Sequence, residues 1–260
     1  GIGEANMTSF AAGLSLTGKI AFTNSFAVFA AGRSFDQIRQ AICIPGLNVK
    51  IVGSSAGLSD FGDGATHQSV EDVAIMCAIP NMTVLVPADG IETRKMVRKM
   101  VEYDGPVYLR INRHDLPDVT SEAEEFVIGK PGLIREGRDF VVFASGIMVS
   151  RALAAAEELA KENISVRVVN VSSLKPVDEE SIKKLAEGVK GIVTAEEHSI
   201  IGGVASMISF VLRGSGIPLI PVGIDDRFGQ SAHNYNELLE EYDLTSDAVV
   251  NAVKKLNGKK

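Results

Sequence analysis

The sequence predicts an α/β protein of two tandem domains, each a three-layer α/β/α sandwich. Three observations lead to this class. Short apolar runs alternate with longer stretches of helical periodicity along most of the 260 residues, the pattern of parallel strands covered on both faces by crossover helices. The alternation breaks once, between Asn112 and Gly137, where periodicity fades and Asp115, Asp118, Glu122, Glu124 and Glu125 accumulate. Finally, the turn from Asp60 to Ser69 sets a carboxylate and an imidazole between a strand and a helix, the place where open α/β sheets put their chemistry. The predicted division is a first domain over 1–118, a linker over 119–137 and a second domain over 138–260.

The elements follow in order. Ala5 to Leu16 reads as a helix stopped by Gly18-Lys19, and Ile20 to Thr23 as a short strand. Asn24 to Arg33 passes from turn to helix, and Ser34 to Cys43 continues it with Phe35, Ile38 and Ile42 on one face. Val49 to Gly53 is a strand that leads into the Asp60–Ser69 loop. A helix follows from Val70 to Ile79, then a strand over Thr83 to Val86. Asp89 to Glu102 is an amphipathic helix with Asp89 as its N-cap, and Val107 to Ile111 is a strand. Phe126 to Ile134 reads as a small hairpin. In the second half, strands are predicted at 140–144, 166–171, 191–195 and 218–222. Helices are predicted at 148–162, 178–186, 204–212 and 246–256.

Composition bounds the function. A hydrophobic share of 45% with 23% charged residues is that of a water-soluble globular protein. A formal charge of -7 argues against nucleic acid or an anionic membrane as the partner. No apolar run reaches the roughly 18 residues of a membrane span, and no basic-then-apolar leader is present. Cys43 and Cys77 sit in apolar contexts and read as buried free thiols in a reducing compartment. A cytoplasmic enzyme or subunit is expected. The opening Gly1-Ile2-Gly3-Glu4, dense in turn residues and without a first strand, is expected to follow missing residues or to be completed by another chain.

Several residues are candidates for chemistry. Glu4 is either a helix-start carboxylate favoured by the dipole or a catalytic acid desolvated by small, apolar neighbours. Phe26 and Phe29, three apart, are either core or an aromatic shelf for a heterocycle. His67, following Thr66, is either structural or a donor to a substrate hydroxyl or carbonyl. Arg110 and Arg113 close a strand at the end where such sheets bind ligands. They suit a phosphate grip, or alternatively an interdomain salt bridge. Glu197 and His198 receive no role.

Gly3-Glu4-Ala5-Asn6-Met7, Phe26-Ala27-Val28-Phe29, Asp63-Gly64-Ala65-Thr66-His67-Gln68 and Arg113-His114-Asp115-Leu116-Pro117 occur in the order found in transketolases. The likeness continues through Glu196-Glu197-His198 and Phe228-Gly229 to Tyr242. The chain resembles the C-terminal half of a transketolase, a pyrimidine-binding domain followed by the transketolase C-terminal domain, as in enzymes split between two polypeptides. The resemblance implies transfer of a two-carbon ketol group from a ketose phosphate to an aldose phosphate. It implies thiamine diphosphate as cofactor, with Mg²⁺ held by an N-terminal partner subunit, and self-association to a dimer core within a two-plus-two heterotetramer.

It also implies roles. Glu4 matches the catalytic Glu that hydrogen-bonds the cofactor's aminopyrimidine ring and controls its tautomer. Phe26 and Phe29 match the aromatics lining the pyrimidine pocket. Asp63 matches the residue bonding the donor's C2 hydroxyl, His67 the imidazole near the substrate's first carbons, and Arg113 a phosphate-binding Arg. Two positions depart from the pattern. Gly32 stands where a Tyr is common, and Ser55 stands where a phosphate-contacting His is common, leaving one hydrogen bond and no charge. Gly62-Asp63-Gly64 resembles a Mg²⁺ motif, but Asp89 and Glu92 occupy the window where its Asn pair would stand, so the metal is not placed on this chain. 1-Deoxyxylulose-5-phosphate synthases and other thiamine-dependent half-enzymes share the Thr-His-Gln core, and a non-catalytic partner-binding paralogue is the reading of another class.

Overall fold

The computed structural model describes residues 2–258 and holds two five-stranded sheets, each of four parallel strands and one antiparallel edge strand. Gly1, the first residue of the opening turn, lies outside the described residues.

The first sheet contains β1 (Ala21–Phe26), β2 (Val49–Ser54), β3 (Thr83–Leu85) and β4 (Val107–Arg110), all parallel, in the order β1-β2-β4-β3. Helix α1 (Glu4–Ser15), a helical segment α2 over 28–43, α3 (Asp72–Ala78) and α4 (Gly90–Glu102) connect and flank them. The second sheet contains β5 (Gly132–Arg135), β6 (Phe140–Ala144), β7 (Val166–Asn170), β9 (Gly191–Ser199) and β10 (Leu219–Ile224), in the order β10-β9-β6-β7-β5. Here β5 runs antiparallel on the edge and the others are parallel. Helices α5 (Met148–Lys161), α6 (Glu179–Leu185), α7 (Val204–Val211), α8 (Tyr235–Glu241) and α9 (Ser246–Asn257) belong to this half. No helix among the described residues is long and apolar enough to cross a membrane.

Most predicted elements stand within a few residues of their expected ends. All five residues of β6 are buried, as a central parallel strand covered on both faces requires. Asp89 caps α4, its carboxylate accepting from the Glu92 N–H at 2.8 Å.

The departures have physical reasons. β1 runs on to Phe26 because Asn24, Ser25 and Phe26 pair in register with Val52, Gly53 and Ser54, so the segment expected to turn there is strand. The 28–43 segment is not a regular helix. It consists of π turns at Val28–Arg33 and Ile38–Cys43 around a single α turn, Phe35–Gln37. β9 continues past Ala195 through Glu196, Glu197 and His198, all buried. The hairpin expected within Phe126–Ile134 is instead the edge strand β5, whose partner is the distant β7.

One further strand, β8 (Ser173–Lys175), follows β7 in sequence yet joins the first sheet, antiparallel to β3. The domains are packed together as well as linked. A single apolar cluster unites Ile38, Ile51 and Met76 with Phe143, Val169 and Ile208, and another seats Leu58, Val70 and Ala88 against α5 and α9. Cys43 and Cys77 are free thiols, and burial pushes them up to about 11 and about 12.

Candidate active site

The C-terminal ends of β1 and β2 lie side by side, with Phe26 opposite Ser54 and the Ser54 hydroxyl donating to the Ser25 carbonyl at 3.2 Å. Four of the predicted residues meet at this edge. Glu4, at the start of α1, has one carboxylate oxygen 3.4 Å from the Ser25 hydroxyl and the other 3.5 Å from the Arg33 guanidinium. The Glu4 side chain is 12% exposed and that of Arg33 53%.

Phe26 and Phe29 are parallel to within 4° at a centroid distance of 6.1 Å. His67 meets both rings edge-on, at 6.1 Å from Phe26 and 5.2 Å from Phe29. Arg33 lies 4.0 Å above the Phe29 ring. The π turn makes that contact natural. With more than four residues per turn, it aligns positions four apart more closely than an α-helix does.

Glu4 therefore meets a guanidinium and a hydroxyl rather than the small apolar neighbours the sequence suggested. Ser25 and Arg33 were not singled out in the sequence, because only the folded edge brings them to Glu4.

The loop between β2 and α3 carries the next group. Gly57 and Ser69 close its neck with a reciprocal backbone pair at 2.9 and 3.1 Å. Gly64–Thr66 forms a 3₁₀ turn. Asp63 is exposed immediately before it, and the His67 Nδ1 lies 2.9 Å from the Thr66 hydroxyl. Ser55, buried where the loop begins, adopts a φ of 51°, a strained region for a residue other than glycine. Arg113 attaches to this loop from the end of β4. Its guanidinium lies 3.0 Å from the buried Asp60 carboxylate, and its N–H donates to Ser59. Arg113 also lines a cleft of about 430 Å³ with Asn112, His114 and Thr93. No described contact links Ser55 or Arg113 directly to the Glu4 cluster.

Arg110 belongs elsewhere. It is buried and pairs with Asp72 at 3.0 Å, and it donates to the carbonyls of Ser69 and Glu197. Burial alone would lower its pKa, but the Asp72 and Glu197 carboxylates outweigh that and push it up. Tyr108 donates to the same Asp72 carboxylate at 2.7 Å. Of the two arginines considered for a phosphate grip, Arg110 is thus the interdomain tie.

The seam continues along β9. Glu197 accepts from the Leu58 N–H at 2.8 Å and from Asn112 at 3.2 Å, and burial raises its pKa. Glu196 accepts from the N–H groups of Val204 and Ala205 at the start of α7, yet burial still pushes it up to about 7. His198 accepts at Nε2 from the Ala74 N–H and sits 2.7 Å from the Ser199 carbonyl through Nδ1. Burial lowers its pKa to about 4. Glu196 and His198 are 3.8 Å apart, but between those two values both are neutral, so the contact is no ion pair.

The acidic residues in the metal-motif window are also fully engaged. Asp89 accepts from Glu92, Val119 and Thr120. Glu92 accepts from the Ala88 N–H and the Asn170 amide.

Comparison with known proteins matches the model "Transketolase, pyrimidine binding domain" over residues 1–119 and "Transketolase, C-terminal domain" over 129–249. The chain is 43% identical over 257 residues to a putative transketolase C-terminal section of Methanocaldococcus jannaschii, covering 97% of the chain and 80% of that protein. It is also 43% identical over 261 residues to a 6-deoxy-6-sulfo-D-fructose transketolase subunit of Clostridium sp. (strain MSTE9), covering 100% and 81%. Among solved structures, a split gene transketolase, an inactive beta4 tetramer, superposes with a TM-score of 0.91 at 46% identity, covering all of this chain and 83% of that one.

Proposed function

The chain belongs to the transketolase family, and from that premise we propose that it is the C-terminal subunit of a split transketolase. It moves a two-carbon ketol unit from a ketose phosphate to an aldose phosphate. The observation that carries this reading is the convergence of Glu4, Phe26, Phe29 and His67 at the C-terminal edge of β1 and β2.

That edge fits one end of thiamine diphosphate. The parallel phenyl rings offer an apolar lining to the flat aminopyrimidine, and Glu4 stands on the same edge with a carboxylate to share a proton with a ring nitrogen. When bound, the cofactor supplies the electron sink that two-carbon transfer needs. This chain's residues do the rest. Asp63 accepts from a donor hydroxyl, and His67 holds or passes a proton near the substrate's first carbons. Arg113 binds a phosphate, with Ser55 adding one hydrogen bond.

The diphosphate and Mg²⁺ are assigned to an N-terminal partner chain. Engagement of Asp89 and Glu92 in capping and interdomain bonds supports that assignment. We keep the division at 1–118, 119–137 and 138–260, and a two-plus-two assembly, as part of the proposal. The sulfofructose relative makes the group at the far end of the donor the specificity question, and Ser55 and Arg113 are the residues we assign to it.

Reconstitution tests the reading. Mixing this chain with its partner, thiamine diphosphate and Mg²⁺ is expected to transfer a ketol group from xylulose 5-phosphate to an aldose phosphate. Full activity from this chain alone, or consumption of pyruvate in place of the ketose phosphate, would overturn it.

A further inference from the structure

Gln68 directly follows His67, and its amide joins the two domains. The side chain is 3% exposed. Its Nε2 donates to the Asp60 carbonyl at 3.1 Å within the loop and to the Gln230 carbonyl at 3.0 Å in the second half of the chain. Gly229 packs so closely that a Cβ there would lie 1.7 Å from the Gln68 Oε1.

The second domain grips the same loop at further points. The Ala232 N–H donates to the Phe61 carbonyl at 2.9 Å. Glu197 accepts from the Leu58 N–H at 2.8 Å. A Cβ at Gly57 would lie 2.4 Å from the Glu197 carboxylate carbon, and one at Gly64 would lie 2.5 Å from the Ser231 hydroxyl. The loop bearing Asp63 and His67 is thus held from the other domain by Glu197, Gln230 and Ala232, as well as by Arg110, Arg113 and His114 of its own. Among the described residues, Gln68 is the side chain that bonds both to the loop itself and to the strip around residues 229–232.

We propose that Gln68 is the positioning residue through which the second domain sets the place of Asp63 and His67. That domain would then shape the reaction without contributing a group that touches substrate. The inference rests on the reading of this loop as the substrate site.

Gln68→Met keeps the length of the side chain and removes both donors. In the full chain, hydrogen–deuterium exchange of the 57–69 amides is expected to quicken about tenfold as the loop loses its anchor. In the complex with the partner chain, kcat is expected to fall about ten- to a hundredfold, the range for a catalytic group held slightly out of place. Affinity for thiamine diphosphate is expected to change less than kcat, because Glu4, Phe26 and Phe29 are not on the loop and meet it only through the His67 ring.

Gly229→Ala pushes the Gln68 amide from its acceptors and is expected to give the same exchange and kcat changes. The double variant is expected to be no worse than either single one, since the closest contacts of a Cβ at Gly229 are with the Gln68 amide, ahead of Leu58. Unchanged exchange and kcat in Gln68→Met, or additive effects in the double variant, would overturn the proposal. If Gln68→Met does not fold, Gly229→Ala carries the same two measurements. His67→Ala separates this inference from the reading beneath it. Full activity in His67→Ala removes the substrate site itself, whereas loss in His67→Ala with none in Gln68→Met removes only the role of Gln68.

Discussion

Two polar clusters stand at the C-terminal ends of the first sheet's strands, and they differ in almost every physical respect. One, around Glu4, Arg33, Phe29 and His67, is half-open and loosely bonded, with contacts of 3.4 and 3.5 Å to the acid. The other, around Asp72, Arg110, Glu196, Glu197 and His198, is buried and densely bonded, and it holds the large pKa displacements at Glu196 and His198. Perturbed titration often marks function, but here Glu196 is held by the backbone at the start of α7 and His198 by backbone of both domains. The open cluster carries the features that suit a ligand: flat rings, an acid and an imidazole. Strong burial of ionisable groups in this protein therefore reports assembly of the fold, and the less enclosed cluster is the one proposed as the site.

The largest expected effect tests the open cluster. Glu4→Ala in the reconstituted enzyme should lower kcat by about 10²- to 10⁴-fold, the range for a positioned acid–base group. Its melting temperature should hold within a few degrees. A variant that keeps full turnover would break the comparison from the functional side.

Next in size, Asp72→Ala leaves Arg110 buried without its partner and Tyr108 without its acceptor. It should cost about 3–5 kcal/mol of stability by denaturant unfolding, with specific activity of the folded fraction nearly unchanged. Equal stability in this variant would show the seam to be dispensable.

The third prediction uses the opposite shifts within the seam. Glu196 titrates near 7 when folded against 4.5 in the open chain. The native state therefore holds a proton that the unfolded state gives up, and this contribution is lost as pH rises from about 4.5 to 7. His198 titrates near 4 against 6.5. The unfolded state then takes up the proton first, and stability is lost as pH falls from about 6.5 to 4. Glu196→Gln should gain stability relative to the parent as pH rises through the upper window. His198→Gln should gain as pH falls through the lower one, each by up to about 3 kcal/mol. Parallel unfolding curves for parent and variants across pH 4–7 would sink this account.

The smallest effect concerns substrate grip. Arg113→Gln should raise the KM for a phosphorylated donor about tenfold with kcat little changed, as expected for loss of one charge-assisted contact. An unchanged KM would move the phosphate site elsewhere.

The strong periodic elements were legible because their signals are local. The apolar run Phe140–Ala144 and the Asp89 cap are examples that stand where expected. β5 and β8 were not legible, because Gly132–Arg135 and Ser173–Lys175 are antiparallel edge strands without the buried apolar run that marks the equally short β3 and β4. The π turns escaped for a related reason. A helical stripe over 28–43 reads much the same for an α-helix as for π turns, yet the wider turn brings Arg33 more squarely over Phe29.

At the site, residue types and order were visible, but the partners of Glu4 were not, since Ser25 and Arg33 reach it only through β1 and the turn that follows. Glu197 and His198 had no role in the sequence. Only the extension of β9 shows them to be the wall between the domains.

The strand β8 also constrains the order in which the chain can fold during synthesis. Its three residues cover the otherwise bare edge of β3, and an uncovered edge is a template for pairing with other chains. A nascent chain that has emerged only as far as the end of β4 has every parallel strand of its first sheet but no cover for that edge. Protection arrives some 60 residues later by chain position, after β5, β6 and β7 have been made. A fragment ended between the domains would remain permanently at that vulnerable stage, so the first domain is expected to be handled as a separate piece only with its sequence extended through Lys175.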